Sequence, residues 1–218
     1  PPDSGKITVL DAPLRRGNPA IGYLPQTRSV LPALRLTGRD FLACSIRGDR
    51  WGLPLIGAKD RRAIDQALEF VNALALAERP LAEMSGGERQ RLLLAGALIG
   101  TPRILLLDEP LISLDPNHQR AVVELTRALQ QELGIAVLFS AHELNPLLGA
   151  LDRVLYLGHG HAALGTVDDV VTGPVLSRLY GSEIEVVRVN GRIFVMSGGH
   201  DVEHDAHRHD HGAHHVHV

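Results

Sequence analysis

The chain has 218 residues, 44% of them hydrophobic, which is enough to bury one sizeable core and a smaller subdomain. A net charge of −3 gives no basic field of the kind that nucleic-acid-binding domains carry, so nucleic acid is not an expected partner. The lone cysteine, Cys44, excludes an internal disulfide framework and fits a reducing compartment. The longest apolar run, Leu92 to Gly100, is shorter than the ~18–20 residues of a membrane-spanning helix.

Two short strands are predicted near the N-terminus. Ile7 to Leu10 follows a turn, and Ala20 to Gln26 is an apolar run that reaches a proline and then a polar glutamine. Ser4-Gly5-Lys6 superficially suggests a phosphate-binding loop. That motif needs an earlier glycine and a Ser or Thr after the lysine, where this chain has Ile7, so we reject it.

The middle of the chain carries no strand pattern. Residues 27–60 are rich in Gly, Pro and Arg, and Lys59 to Glu78 then shows helical periodicity that we expect Arg79-Pro80 to end. The residues predicted to share one apolar helix face are Ile64, Ala67, Leu68, Val71, Leu74 and Ala75. The pattern therefore predicts a helical insert between two parts of an α/β sheet.

An anion-binding helix terminus is a candidate at Ser85. Ser85 is suited to cap the apolar helix from Arg89 to Ile99, and Glu88 completes a capping box three residues later. Gly86 and Gly87 let backbone N–H groups approach a ligand closely at the positive end of the helix dipole. For these residues alone, an ordinary cap with a flexible lead-in is the favoured alternative.

The stretch from Ile104 to Pro110 is the most informative part of the chain. Four apolar residues lead directly into Asp108 and Glu109, which predicts a strand buried on both faces of a parallel sheet. Ligands bind beyond the carboxyl ends of such strands, where both carboxylates would lie. Taken alone, the stretch could also be a strand that ends in a solvated acidic turn.

A helix and a further strand follow. Asp115-Pro116 provides a cap and first residue for the helix Asn117 to Leu133, and Gly134 ends it. The strand Ile135 to Phe139 then runs into Ser140-Ala141-His142. A partly buried histidine at a strand end is the alternative for His142 if it is considered alone.

The C-terminal third is predicted to contain short elements. Arg153 to Leu157 and Ala162 to Gly165 are expected to pair around a glycine turn, and a second hairpin is expected around Asn190-Gly191. The remaining predicted elements are a helix through Leu147 to Ala150, short helices at Asp168 to Val171 and Pro174 to Tyr180, and hairpin strands at Ile184 to Val189 and Arg192 to Met196.

The composition changes at Gly198, and the segment after it is predicted to be disordered. It holds eight of the twelve histidines: His200, His204, His207, His209, His211, His214, His215 and His217. Imidazole suits Zn²⁺, so the tail is a candidate Zn²⁺ site that would release metal on protonation. The alternatives are a purification tag, against which the interleaved acidic residues argue, and a solvated end without function.

Four motifs in this order resemble the nucleotide-binding subunit of ABC transporters, over residues 1 to about 180. The matching stretches are Tyr23 to Gln26, Met84 to Glu88, Ile104 to Asp115 and Ser140 to His142. Met84 and Glu88 depart from the usual Leu and Gln of the signature motif. Within the family the chain is most similar to the ATPases of zinc/manganese-type importers, on the stretches Ile21 to Gln26 and Leu176 to Gly181 and on the histidine-rich end.

The resemblance implies an α/β fold, with a P-loop NTPase-like core that contains a parallel sheet. The core would comprise residues 1–26 and 87–175. A helical subdomain that carries the signature motif would comprise residues 27–86. A β-hairpin extension at 176–197 and the disordered tail at 198–218 would complete the chain. The Walker A loop and the aromatic that stacks on adenine are expected upstream of Pro1. Either the sequence is N-terminally truncated or a partner supplies these parts; we favour truncation and expect little activity of this sequence alone.

The family's site residues carry over as follows. Asp108 matches the ligand of a Mg²⁺ ion, to which Gln26 would also reach, while Glu109 would act as general base on water and His142 would contact the γ-phosphate of ATP. The residues implied to bind the ATP held by an opposite subunit, or to lie at that interface, are Ser85, Gly86, Gly87, Glu88 and Asp115.

The resemblance also implies the partners. ATP and Mg²⁺ are the expected cofactors, and a two-fold homodimer is the expected assembly. Separate integral-membrane permease subunits would dock around residues 27–80 at the cytoplasmic face of the membrane, with a substrate-binding protein as an indirect partner. Two alternatives stay open: a soluble ABC ATPase without a transport role, and a fragment that only binds metal or other proteins.

Overall fold

The computed structural model describes residues 4–13, 15, 17–26, 36–46 and 56–197. The chain divides after Ala150 into two compact units. The elements of the first unit are strands β1 (Thr8–Val9), β2 (Ala12–Pro13), β3 (Ile21–Leu24), β4 (Ile104–Asp108) and β5 (Ala136–Ser140), and helices α1 (Gly38–Ile46), α2 (Ala58–Phe70), α3 (Gly86–Leu98) and α4 (Pro116–Leu133). Short helical turns lie at Leu74–Leu76, Leu81–Glu83 and Asn145–Leu147.

A parallel sheet of order β3-β4-β5 organises the first unit. Leu106 pairs with Tyr23 on one side and Leu138 on the other, and Asp108 pairs with Ser140. Helices α1 to α3 lie between β3 and β4 in the chain, and α4 lies between β4 and β5. The predicted α/β class and the parallel sheet are confirmed, and the carboxyl ends of all three strands meet at one edge.

The prediction that β4 is buried on both faces is wrong for this chain. Leu105 and Leu107 are buried in the core, but Leu106 on the opposite face is only half-buried. Its neighbours on that face, Tyr23 and Leu138, are 55% and 57% exposed. Alternating burial of this kind shows that, among the described residues of the first unit, α-helices cover only one face of the sheet.

One hydrophobic core joins the helices to the covered face of the sheet. Its members include Leu24, Leu42, Ile64, Leu68, Leu92, Leu98, Leu105 and Leu107. The predicted helix from Lys59 to Glu78 is wrong in its second half: α2 ends at Phe70, and Asn72 takes a left-handed φ of 51°. Leu74, expected on the apolar face, is 46% exposed.

The predicted helix caps are confirmed. The Ser85 and Glu88 side chains form a capping box at the start of α3, and the Asp115 carboxylate accepts hydrogen bonds from two backbone N–H groups at the start of α4. Gly134 ends α4 with a φ of 62°, a conformation that favours glycine.

The second unit contains two hairpins and two helices. Its elements are β6 (Val154–Gly158), β7 (His161–Gly165), α5 (Val167–Val170), α6 (Gly173–Tyr180), β8 (Ile184–Val189) and β9 (Arg192–Ser197). Both predicted hairpins are confirmed, and Asn190 and Gly191 have the positive φ of a tight hairpin turn. The predicted helix through Leu147 to Ala150 is wrong, because only the short turn Asn145–Leu147 forms there.

Two further predictions concern the ends and the subdivision of the chain. The histidine-rich segment from residue 198 onwards lies outside the described residues. The four-part division into core, helical subdomain, hairpin extension and tail stays a prediction. Within the described residues, no helix is both long and apolar enough to span a membrane.

Candidate active site at the carboxyl ends of the parallel strands

Polar side chains from all three strands of the sheet meet at one edge. Gln26 lies two residues beyond β3, Asp108 ends β4 and Glu109 follows it, and His142 lies two residues beyond β5. The sequence predicted these four residues as one site, and the structure brings them together. The meeting follows from the parallel order, which places all three carboxyl ends on the same side.

Glu109 is held by two nitrogen groups, one from each flanking strand end. Gln26 Nε2 donates to Glu109 Oε2 at 2.6 Å, and His142 Nε2 lies 2.7 Å from Glu109 Oε1. Only 21% of the Glu109 side chain is exposed, against 81% for His142. A carboxylate in its ionised form only accepts hydrogen bonds, so His142 donates to it in the tautomer that carries the proton on Nε2.

Asp108 is held by two hydroxyl groups instead. Ser140 Oγ donates to Asp108 Oδ1 at 2.8 Å, and the Tyr23 hydroxyl donates to Asp108 Oδ2 at 3.1 Å. The hydrogen bond to Asp108 raises the pKa of Tyr23 above its usual value, and some desolvation adds to the effect. Sequence reasoning did not place Tyr23 or Ser140 in the site, although both belong to the motifs that it identified.

The backbone at Glu109 is unusual. Its φ of 47° lies in the left-handed region, and its N–H donates to Ser140 Oγ at 2.9 Å. The turn after β4 therefore sends the Asp108 and Glu109 side chains to different sets of partners. Adjacent carboxylates thereby acquire different surroundings within one short segment.

The predicted signature residues lie at the start of α3. Glu88 Oε2 accepts from the Ser85 backbone N–H at 2.8 Å, and Glu88 Oε1 lies 2.5 Å from Arg79 Nη1. These contacts, the Ser85 backbone bond first, hold the pKa of Glu88 below its usual value. Arg79 also donates to the Glu83 carbonyl at 3.0 Å. Arg79 was not predicted as a site residue, and its contacts make Glu88 a fixed anion.

His118 lies next to both Asp115 and Gly87. The His118 imidazole Nδ1 bonds to the Asp115 carboxylate, and this contact lowers the pKa of Asp115. A Cβ added at Gly87 would lie 2.6 Å from His118 Cδ2, whereas one at Gly86 would meet nothing within 4 Å. The starts of α3 and α4 are therefore adjacent, and His118 fills the space that an alanine at position 87 would need.

The carboxyl edge of the sheet suits a Mg²⁺–phosphate group better than a caged metal. Asp108 and the Gln26 amide supply hard oxygen donors. The described part of the chain contains no cluster of three His, Cys, Asp or Glu residues that could hold a metal ion. Mg²⁺ keeps several waters and is commonly bound through one or two carboxylates together with substrate phosphates. The residues present fit that arrangement, and the tail histidines lie outside the described residues.

A parallel sheet with this acidic edge and a capped glycine helix start agree with the resemblance to the ATP-binding subunits of ABC transporters. The family model described as "ABC transporter" matches residues 1–112. The zinc import ATP-binding protein ZnuC of Brucella suis is 36% identical over 184 residues, which are 84% of this chain and 56% of that protein. ZnuC of Photorhabdus laumondii is 37% identical over 180 residues, 83% of this chain and 63% of that protein.

The match with a further relative is longer. ZnuC of Yersinia pestis bv. Antiqua is 34% identical over 207 residues, which are 95% of this chain and 73% of the relative. The chain therefore belongs to the ABC transporter family. It spans only 56% and 63% of the length of the Brucella and Photorhabdus proteins.

Solved structures agree with this assignment. An inward-facing metal-chelate type ABC transporter superposes with a TM-score of 0.66 at 26% identity, over 81% of this chain and 70% of the other. An ATP-binding cassette in its ADP conformation gives a TM-score of 0.68 at 22% identity, over 83% and 78% of the two chains. The second likeness bears on the fold alone.

Proposed function

We propose that this chain forms part of the ATP-hydrolysing subunit of a zinc importer. The observation that carries the proposal is the position of Glu109, whose two carboxylate oxygens face Gln26 and His142 next to Asp108. Such a carboxylate can orient water for attack on a phosphoryl group. We infer zinc as the transported substrate because the Brucella, Photorhabdus and Yersinia relatives are named zinc import ATP-binding proteins.

Each residue of the cluster has a separate task in this proposal. Glu109 accepts a proton from the attacking water, and His142 Nε2–H turns from Glu109 to the γ-phosphate when ATP binds. Asp108 and the Gln26 amide oxygen would hold Mg²⁺, which supplies charge neutralisation for the phosphates. Gln26 thus links the nucleotide site to the start of the helical region that follows β3.

The second group of residues serves a dimer in this proposal. Ser85, Gly86 and Gly87 would bind the γ-phosphate of ATP held by an opposite copy of the chain, with Glu88 fixing the loop and Asp115 at the interface. The hydrogen bonds that hold Glu88 support this role because they keep the helix start rigid. Membrane permease subunits at the cytoplasmic face would complete the importer, together with a substrate-binding protein.

Replacement of Glu109 by Gln tests the hydrolytic role. In the full-length protein we expect Glu109→Gln to lower ATP turnover by about 10²–10⁴-fold, the usual contribution of a general base. Binding of a fluorescent ATP analogue should persist, because the amide keeps the size of the side chain. Glu124→Gln, which changes an exposed glutamate on α4, is the matched control. Turnover of Glu109→Gln at the wild-type rate would contradict the proposal.

The histidine-rich tail is proposed as a Zn²⁺-binding segment. Neutral imidazoles suit Zn²⁺, and their protonation near pH 6 to 7 would release it. Calorimetric titration with Zn²⁺ should give heat with the full-length protein at neutral pH and much less with a variant that ends at Ser197. Equal heat from both proteins would remove the tail as the binding segment.

A further inference from the structure

The Ser140 hydroxyl occupies a central place in the carboxylate cluster. Ser140 is the last residue of β5 and pairs in register with Asp108. Its Oγ accepts a hydrogen bond from the Glu109 backbone N–H at 2.9 Å and donates one to Asp108 Oδ1 at 2.8 Å. One hydroxyl therefore joins the side chain of one carboxylate residue to the backbone of the next.

The Glu109 backbone needs such a partner. Its φ of 47° is a conformation that residues other than glycine rarely adopt, and it persists only where the surroundings fix it. The ladder between β4 and β5 ends at the pair of Asp108 and Ser140, so the Glu109 N–H has left the sheet. Ser140 Oγ satisfies that donor and holds the turn that aims Glu109 at Gln26 and His142.

We propose that Ser140 is a positioning residue for the hydrolytic site, acting on both Asp108 and Glu109. The inference rests on the proposed ATP hydrolysis and adds a residue to it. Ser140 does not contact substrate in this role. It fixes the direction of the Asp108 carboxylate for the metal and the backbone turn that places Glu109 for the water.

Tyr23 provides an internal comparison. Its hydroxyl also donates to Asp108, at 3.1 Å, but it makes no link to the Glu109 backbone, and 55% of the residue is exposed. Removal of the Tyr23 hydroxyl should therefore disturb Asp108 alone. Removal of the Ser140 hydroxyl should disturb both carboxylates, so its effect on turnover should be the larger of the two.

Four variants of the full-length protein test the role of Ser140. The set is Ser140→Ala, Ser140→Thr, Tyr23→Phe and, as a control, Ser182→Ala at an exposed serine of the second unit. We expect Ser140→Ala to lower kcat about tenfold, the effect of one lost hydrogen bond to a charged group, with little change in KM for ATP. Ser140→Thr keeps the hydroxyl and should restore most of the rate, while Tyr23→Phe should lose less than Ser140→Ala.

A second readout does not depend on turnover. The Mg²⁺ concentration that supports half-maximal binding of a fluorescent ATP analogue should rise several-fold in Ser140→Ala, whereas a merely structural role would leave it unchanged. If Ser140→Ala hydrolyses ATP within about twofold of the wild-type rate and with unchanged Mg²⁺ dependence, the role of Ser140 is refuted while the proposed function still stands. Absence of Mg²⁺-dependent hydrolysis in the wild-type protein would overturn the proposed function as well.

Discussion

Gly22 lies inside strand β3, where the strand crosses the backbone of helix α3. A Cβ built at this position would lie 2.1 Å from the Ala97 carbonyl oxygen and 3.1 Å from Pro102 Cγ. The nearest atom belongs to the helix backbone, so it cannot move away by a simple side-chain rotation. Gly22→Ala therefore forces β3 and α3 apart by about 1 Å if normal contact distances are to be restored.

The expected loss of stability follows from the kind of contact. Overpacking costs about 1–3 kcal/mol, and a backbone clash belongs at the upper end of that range. Replacing glycine also reduces the conformational entropy of the unfolded state, which stabilises the folded protein by about 0.4–1 kcal/mol. The free energy of unfolding therefore falls by about 2 kcal/mol in total. For a protein of this size we expect Tm to fall by about 4–8 °C.

Thermal unfolding of the full-length protein measures this effect. Gly149→Ala is the matched control, since its added Cβ meets no atom within 4 Å. The control should melt within about 1–2 °C of the wild type, because isolated surface changes cost little. If Gly22→Ala melts as the control does, β3 does not pack against α3 as closely as the structure indicates, and the placement of Gln26 loses its support.

Two further predictions concern the helix starts. The pKa of Glu88 is lowered in the folded state, so its contribution to stability is complete above its usual pKa of 4.5 and is lost as the pH falls through the lower folded value. Glu88→Gln should therefore reduce Tm at neutral pH, and the difference in Tm from the wild type should vanish in acid. Thermal melts of both proteins over that pH range measure this difference. Gly87→Ala should displace the His118 ring from Asp115 and weaken the proposed ATP-driven dimerisation, as measured by sedimentation. The double variant with His118→Ala should recover at least part of the dimerisation, and no recovery would count against a clash with the ring.

The elements that the sequence predicts well are those controlled by neighbouring residues. Ser85 and Asp115 cap helices because their side chains reach N–H groups two or three residues away, a local rule that the sequence displays directly. The early end of α2 is different. The apolar spacing continues to Leu74, but α2 ends at Phe70 and Asn72 takes a left-handed conformation that a helix cannot contain.

The contacts of Tyr23 and Ser140 could not be predicted in the same way. Both depend on the lateral register of strands that lie 85 and 32 residues from Asp108 in sequence. A shift of one residue would turn either side chain to the other face of the sheet, and spacing in the sequence does not determine that register. The exposure of the sheet face that carries Tyr23 likewise depends on which elements pack against the sheet.

The two carboxylates receive their separate roles from the kind of donor that each one meets. Asp108 faces the hydroxyls of Ser140 and Tyr23, whose oxygens carry lone pairs and so do not exclude a cation from the neighbourhood of the carboxylate. Glu109 faces nitrogen donors, and the Nε2–H of His142 would be repelled by a cation but can serve a phosphate oxygen. The Gln26 amide bridges the two environments, since its nitrogen binds Glu109 while its oxygen is a suitable Mg²⁺ ligand. The donor chemistry thus supports the proposal that Asp108 binds the metal and that Glu109 accepts the proton.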